Sequence, residues 1–159
     1  MDVLLKKNTN LNHYSMLKIG NNLSEWSAYS CQPKTKDELK NIIKDRISKE
    51  GLNCDLNDIN TSLIDDMSYL FDYSKFNGDI SKWNVSNVTD MWDMFNESKF
   101  NGDISRWDVS NVTRTGSMFM NSRFDQDISN WKINKDCNTR LMFAMCHIRE
   151  EYKPKSLQS

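Results

Sequence analysis

The sequence predicts an α/β solenoid: about four stacked coils of 24 residues, each a strand followed by a short helix, behind an N-terminal helical cap. Three observations predict it. Aromatic and aliphatic residues recur in columns spaced by 24. The middle of each unit alternates inward and outward as a strand does. A helix start signal and an apolar helical stripe precede the first unit.

In chain order, residues 1–32 are a non-repeat segment. They hold Leu4, Leu5, Leu11, Tyr14, Leu17, Ile19 and Trp26 with no clean period, and Gly20-Asn21-Asn22 reads as a turn between two short elements. Residues 33–52 predict the capping helix. Thr35-Lys36-Asp37-Glu38 is a capping box, Leu39, Ile42, Ile43 and Ile47 lie on one stripe, and Gly51 stands where a helix stops.

Residues 53–146 are the repeat solenoid. Phe71, Phe95, Phe119 and Phe143 share the period, as do Phe76, Phe100 and Phe124, then Ile80, Ile104 and Ile128, and Trp83, Trp107 and Trp131. Within one unit, Trp83 and Val85 point inward and Asn84 outward, a strand pattern. Thr89 is placed to cap a short helix whose buried face is Met91, Met94 and Phe95. Asn77-Gly78 and Asn101-Gly102 supply turns. A lone coil cannot bury its Trp, Phe and Met, so the coils must stack. Residues 147–159 form a polar tail expected to fray.

Charge is uneven along the chain. Residues 1–50 carry nine Lys/Arg against six Asp/Glu, and residues 51–146 nine against fourteen. An acidic repeat body repels phosphate, which disfavours direct nucleic-acid binding and suits a protein partner with a basic surface. No apolar run approaches the ~20 residues that span a bilayer, and the N-terminus lacks the pattern of a secretion signal, so no membrane role and a cytoplasmic location are expected. Cys31, Cys54, Cys137 and Cys146 sit at no zinc-ligand spacing and read as reduced thiols; a Cys137–Cys146 disulfide would require export.

The stretch Phe76-Asn-Gly-Asp-Ile-Ser-Lys-Trp-Asn-Val-Ser-Asn-Val-Thr-Asp-Met91, followed by Met94-Phe95, resembles the BspA-like leucine-rich repeat surface proteins of bacteria, a family also scattered through phages and large viruses. The likeness runs from about Pro33 to Met145. It implies an LRR-like solenoid used in adhesion and protein interaction, with no common chemistry. The chain departs from the surface members in lacking an export signal, a long array and a wall anchor.

Candidate chemistry is sparse. The Trp column could stack bases, but Ile59 stands in it, which marks it as core. The Asp55, Asp79, Asp103 and Asp127 column reads as turn-forming side chains rather than as a calcium roll. No phosphate loop, nucleophile elbow or metalloprotease motif occurs, so neither catalysis, cofactor nor metal is expected. Strand-flanking columns that vary between coils give the binding candidates: Lys82, Asn84, Arg106, Asp108 and Lys132. The expected function is a non-enzymatic protein-binding module. Its most concrete form is a phage or mobile-element inhibitor that occupies a basic cleft on a host defence nuclease such as a CRISPR effector, an anti-CRISPR protein. The alternative is an adhesin-like or self-assembling repeat protein that associates through open ends.

Overall fold

The structure, a computed structural model, describes residues 29–158, so the expectations for the N-terminal segment fall almost wholly outside the described residues. Next to the cap, Cys31 bridges Ile59 in parallel: the Asn60 N–H donates to Cys31 O at 2.8 Å and the Ser30 N–H to Asp58 O at 2.7 Å.

Helix α1 spans Lys36–Glu50. The Thr35 hydroxyl accepts the Glu38 N–H at 3.2 Å, while the Glu38 carboxylate reaches back to the Lys34 N–H at 2.7 Å, so both ends of the capping motif are used. Gly51 ends the helix at φ 92°, a conformation strained for any residue with a Cβ, and its N–H returns to Ile47 O. Leu39 and Ile43 are buried in the core that the first coil leaves open, and two ion pairs, Lys36–Asp66 at 2.6 Å and Arg46–Asp58 at 2.9 Å, pin the helix there.

Beyond α1 the chain stacks at the 24-residue period, but not as strands and helices. Among the described residues α1 is the one α-helix, no strand forms, and regular pairing is limited to isolated parallel bridges such as Asp66–Asp90–Arg114–Asn138. The α/β strand–helix reading is therefore corrected, and the reason lies in where the backbone N–H groups go. In the stretch expected to be helical, the N–H groups of Met94, Asn96 and Ser98 close tight turns onto the C=O three residues back. The alternate N–H groups, of Met91, Asp93, Phe95 and Glu97, leave the coil and donate to Arg114, Gly116, Met118 and Met120 of the next, at 2.8–3.1 Å. An α-helix keeps all these donors within itself. Asp93 and Glu97 adopt left-handed φ of 53°, which breaks any helix, and the same two positions recur as Tyr69 and Tyr73, Ser117 and Asn121, Leu141 and Met145.

The expected strand fails for a similar reason. Trp83 and Val85 are buried and Asn84 is exposed, so the alternation is real. Yet the Trp83 N–H turns back to Ile80 O and the Ser86 N–H to Asn84 Oδ1. Coils are joined here by side chains instead: Asn87 Nδ2 to Ser62 O and Asn111 Nδ2 to Ser86 O, both 2.8 Å. Thr89, expected as a helix cap, donates to Asp65 O of the preceding coil.

The core is a set of ring ladders. Phe71, Phe95, Phe119 and Phe143 stack with centroids 5.5, 5.5 and 5.7 Å apart and planes within 7° of parallel. Phe76, Phe100 and Phe124 form a second ladder at 6.2 and 6.4 Å. Glycine is required at Gly78, where a Cβ would lie 2.0 Å from Cys54 O. Residues 147–158, expected to fray, instead lie across part of the last coil. Ile148 and Pro154 are buried, the Ile128 N–H donates to Tyr152 O at 3.0 Å, and the Arg149 guanidinium lies 4.1 Å from the Tyr152 ring and pairs with Asp125. The apolar residues among the charges supply the burial that holds the tail down.

Candidate functional site

The five candidate residues from the sequence are all exposed. Two of them already have a local task. Asn84 Oδ1 accepts the N–H and hydroxyl of Ser86, and Asp108 Oδ1 those of Ser110, so both close Asx turns. The Ser110 side chain and N–H hold the Asp108 carboxyl below its ordinary value, with Lys132 adding to the effect. Lys82, Arg106 and Lys132 are left as exposed cations along that side.

The acidic column is structural in the same way. Asp79, Asp103 and Asp127 each accept the N–H two residues on, at 2.9 Å, and Asp55 does so at 2.8 Å. Those bonds to Ser105 and Ser129 hold the Asp103 and Asp127 carboxyls low. Among the described residues no group of three or more His, Cys, Asp and Glu side chains is arranged to hold a metal ion. The Trp column is core: Trp83, Trp107 and Trp131 are buried, and each indole N–H donates to a backbone C=O of the preceding coil at 2.9–3.2 Å. The four cysteines are unbridged, with Cys137 beside Thr115 and Cys146 beside Ser122.

A surface that sequence columns alone did not bring forward lies on the flank built from the left-handed positions. Tyr69 and Tyr73 are 47% and 69% exposed on the first coil. Beside them sits Asp93, whose carboxyl is pushed up by burial and by Asp72, against hydrogen bonds from the Trp92 and Tyr69 side chains. Asp72 in turn accepts from Asn96 Nδ2 at 3.0 Å. Trp92 is half-buried with the Arg114 guanidinium 5.3 Å over its ring, and Arg114 also pairs with Asp90 at 2.7 Å. The ring has room because Gly116 follows in its column: a Cβ there would come within 2.2 Å of it. Glu97, exposed, follows Tyr73 in the other column.

The flank is thus aromatic, rigid and acidic. Residues 51–98 carry two Lys against nine Asp/Glu, a formal −7, whereas residues 99–146 carry seven Lys/Arg against five, a formal +2. Pairing of Asp58 and Asp66 with α1 offsets part of that charge. The signal that marks this flank in the sequence is column variation: Tyr73, Glu97, Asn121 and Met145, all exposed, change from coil to coil. Reading that stretch as helix places these residues on the wrong geometry.

Residues 38–153 match the model of a protein family described as Mycoplasma protein of unknown function, DUF285. No curated protein and no solved structure matches the chain. No helix among the described residues is long and apolar enough to cross a membrane.

Proposed function

The chain belongs to the DUF285 family, and we propose that it serves as a non-enzymatic protein-binding module whose partner presents a basic surface. The observation that carries this reading is the flank of Tyr69, Tyr73 and Trp92 set among Asp72, Asp93 and Glu97. Tyrosine and tryptophan combine large contact area with few rotatable bonds, which is why they dominate interface energetics. Carboxylates around them attract Lys and Arg and steer encounter. The backbone beneath is fixed by the coil-to-coil ladder, so little entropy is lost when a partner docks. The likeness to BspA-like surface repeat proteins supports the same reading.

The finer version, in which the partner is a host defence nuclease such as a CRISPR effector, adds a basic cleft as the target. A purified nuclease that neither binds nor is inhibited removes it. Self-assembly through open ends, the second reading, is weakened because α1 covers the first coil and residues 148–157 lie over part of the last.

The test compares wild type with a Tyr69→Ala/Tyr73→Ala variant in affinity capture from native lysate at low and moderate salt. The coil-to-coil bonds at these positions are made by the backbone and neither side chain is buried, so the variant keeps its fold. A stoichiometric partner that wild type captures, salt weakens and the variant loses supports the proposal. Equal capture by both proteins overturns this flank as the site.

A further inference from the structure

The coil-to-coil ladder has a direction, and it ends unfinished. At each of three successive interfaces, four alternate N–H groups of one coil donate to four C=O groups of the next. Met67, Tyr69, Phe71 and Tyr73 donate to Asp90, Trp92, Met94 and Asn96, and Thr115, Ser117, Phe119 and Asn121 donate to Asn138, Arg140, Met142 and Ala144. The equivalent donors of the last coil are Thr139, Leu141, Phe143 and Met145. Among the described residues none of these four N–H groups has an acceptor. Their own carbonyls point elsewhere: those of Thr139, Leu141 and Phe143 close turns onto the N–H groups of Met142, Ala144 and Cys146. The edge therefore offers donors only, unlike a β-sheet edge, where donors and acceptors alternate.

Two further features point to an occupant. Leu141 and Met145 are 53% and 77% exposed, whereas the inner coils carry Asp93, Ser117, Glu97 and Asn121 at those positions. Residues 132–158 carry six Lys/Arg against three Asp/Glu, a formal +3. A second copy cannot complete the row with its own first coil, because that coil's outer side is already covered: Lys36 of α1 bonds Asp66 and Ser68, and Ser68, Leu70 and Phe71 are 6%, 7% and 2% exposed.

We propose that the edge at Thr139, Leu141, Phe143 and Met145 docks an acidic segment of a partner polypeptide, wound in the same tight turns as the coils, which adds a fifth rung through its backbone carbonyls and rests apolar side chains on Leu141, Phe143 and Met145. Like strand addition at a sheet edge, it uses main-chain hydrogen bonds, here in a one-way ladder of turns. It does not depend on the tyrosine flank, and its readout lies on different residues.

The probe is a synthetic, end-capped peptide with the sequence of residues 90–98. It carries three acids and no base, and within the molecule it presents the carbonyls of Asp90, Trp92, Met94 and Asn96 to the equivalent row of the first coil, Met67, Tyr69, Phe71 and Tyr73. The measurement is amide-resolved NMR of the full chain, with hydrogen exchange and a peptide titration. The four amides should exchange fast in the free protein, then shift and gain protection as peptide is added. Leu141→Asp/Met145→Glu installs the residue types that Asp93 and Glu97 already place at the same left-handed φ, so the fold is retained. It should weaken binding by about ten-fold or more through like-charge repulsion and lost apolar contact. Three results overturn the proposal. The first is protection of the four amides in the free protein, which would mean that another part of the chain or a second copy covers them. The second is shifts confined to other residues. The third is no shift at about 2 mM peptide, weaker than about 4 kcal/mol of binding.

Discussion

Replacing Phe95 by alanine should cost about twice as much stability as the same change at Phe143, although both belong to one column. Phe95 has no exposed surface and meets four rings: Phe71 and Phe119 at 5.5 Å, Phe100 at 4.5 Å and Trp107 at 6.3 Å. Removing it opens a cavity between two coils that the ladder keeps from collapsing, which places the loss near the upper part of the range for Phe→Ala, about 4 kcal/mol. Phe143 is half-buried, with one ring neighbour, Phe119 at 5.7 Å, and the Lys153 ammonium 5.9 Å from its ring. Its loss should cost about 2 kcal/mol, because part of its surface is already wet and the tail can settle into the gap. With a urea slope of about 2 kcal/mol/M, the midpoints should fall by about 2 M and about 1 M. Urea titration followed by tryptophan emission measures both, since Trp83, Trp107 and Trp131 lie against these ladders. Equal losses, or a larger loss at Phe143, would refute the view that stability is built from neighbouring-coil contacts.

Three further outcomes follow from single features. Gly116→Ala should cost about 1–3 kcal/mol, because its Cβ would sit 2.2 Å from the Trp92 ring and force it out from under Arg114; a changed Trp92 emission with an unchanged melting temperature would contradict this. The carboxyls of Asp79, Asp103 and Asp127 lie below their ordinary value when folded, held there by Ser81, Ser105 and Ser129, so their stabilisation is present above the unfolded value of about 4 and is lost as pH falls through the depressed values. The urea midpoint should therefore drop on acidification below about pH 4, and Asp103→Asn, which keeps the turn acceptor but cannot titrate, should blunt that drop. Deleting residues 148–158 should cost at least the burial of Ile148, about 2 kcal/mol, and expose the Ile128 N–H; an unchanged urea midpoint would show that the tail does not cap the last coil.

The period, the core columns and the capping box were legible because each is written in side-chain type. Phe, Trp and Met repeat where packing demands them, and Thr35, Glu38 and Gly51 occupy positions whose chemistry is local. The secondary structure was not legible, because it depends on backbone donors, which every residue carries alike. Met91, Met94 and Phe95 are buried at helical spacing, but consecutive tight turns present the same spacing as a helix. The tyrosine flank was hidden for the same reason. Tyr69 and Tyr73 look like members of a helix until their φ of 58° and 53° turns them outward.

Those left-handed residues also explain why the ladder matters to the fold beyond its hydrogen bonds. Among the described residues eight that are not glycine hold φ between 52° and 58°, a region that glycine favours. At about 1 kcal/mol each, they would unwind an isolated coil. They persist because each inner coil is held by four bonds on either side, so any local return to ordinary φ would break several at once. The last coil is the exception: Leu141 and Met145 keep the same strained φ with bonds on the inner side alone. A chain that ended its stack for stability alone would gain by relaxing those two positions or by placing glycine or asparagine there. Instead, large apolar side chains are held out to solvent on a backbone already shaped for a further rung, the arrangement that a binding edge requires.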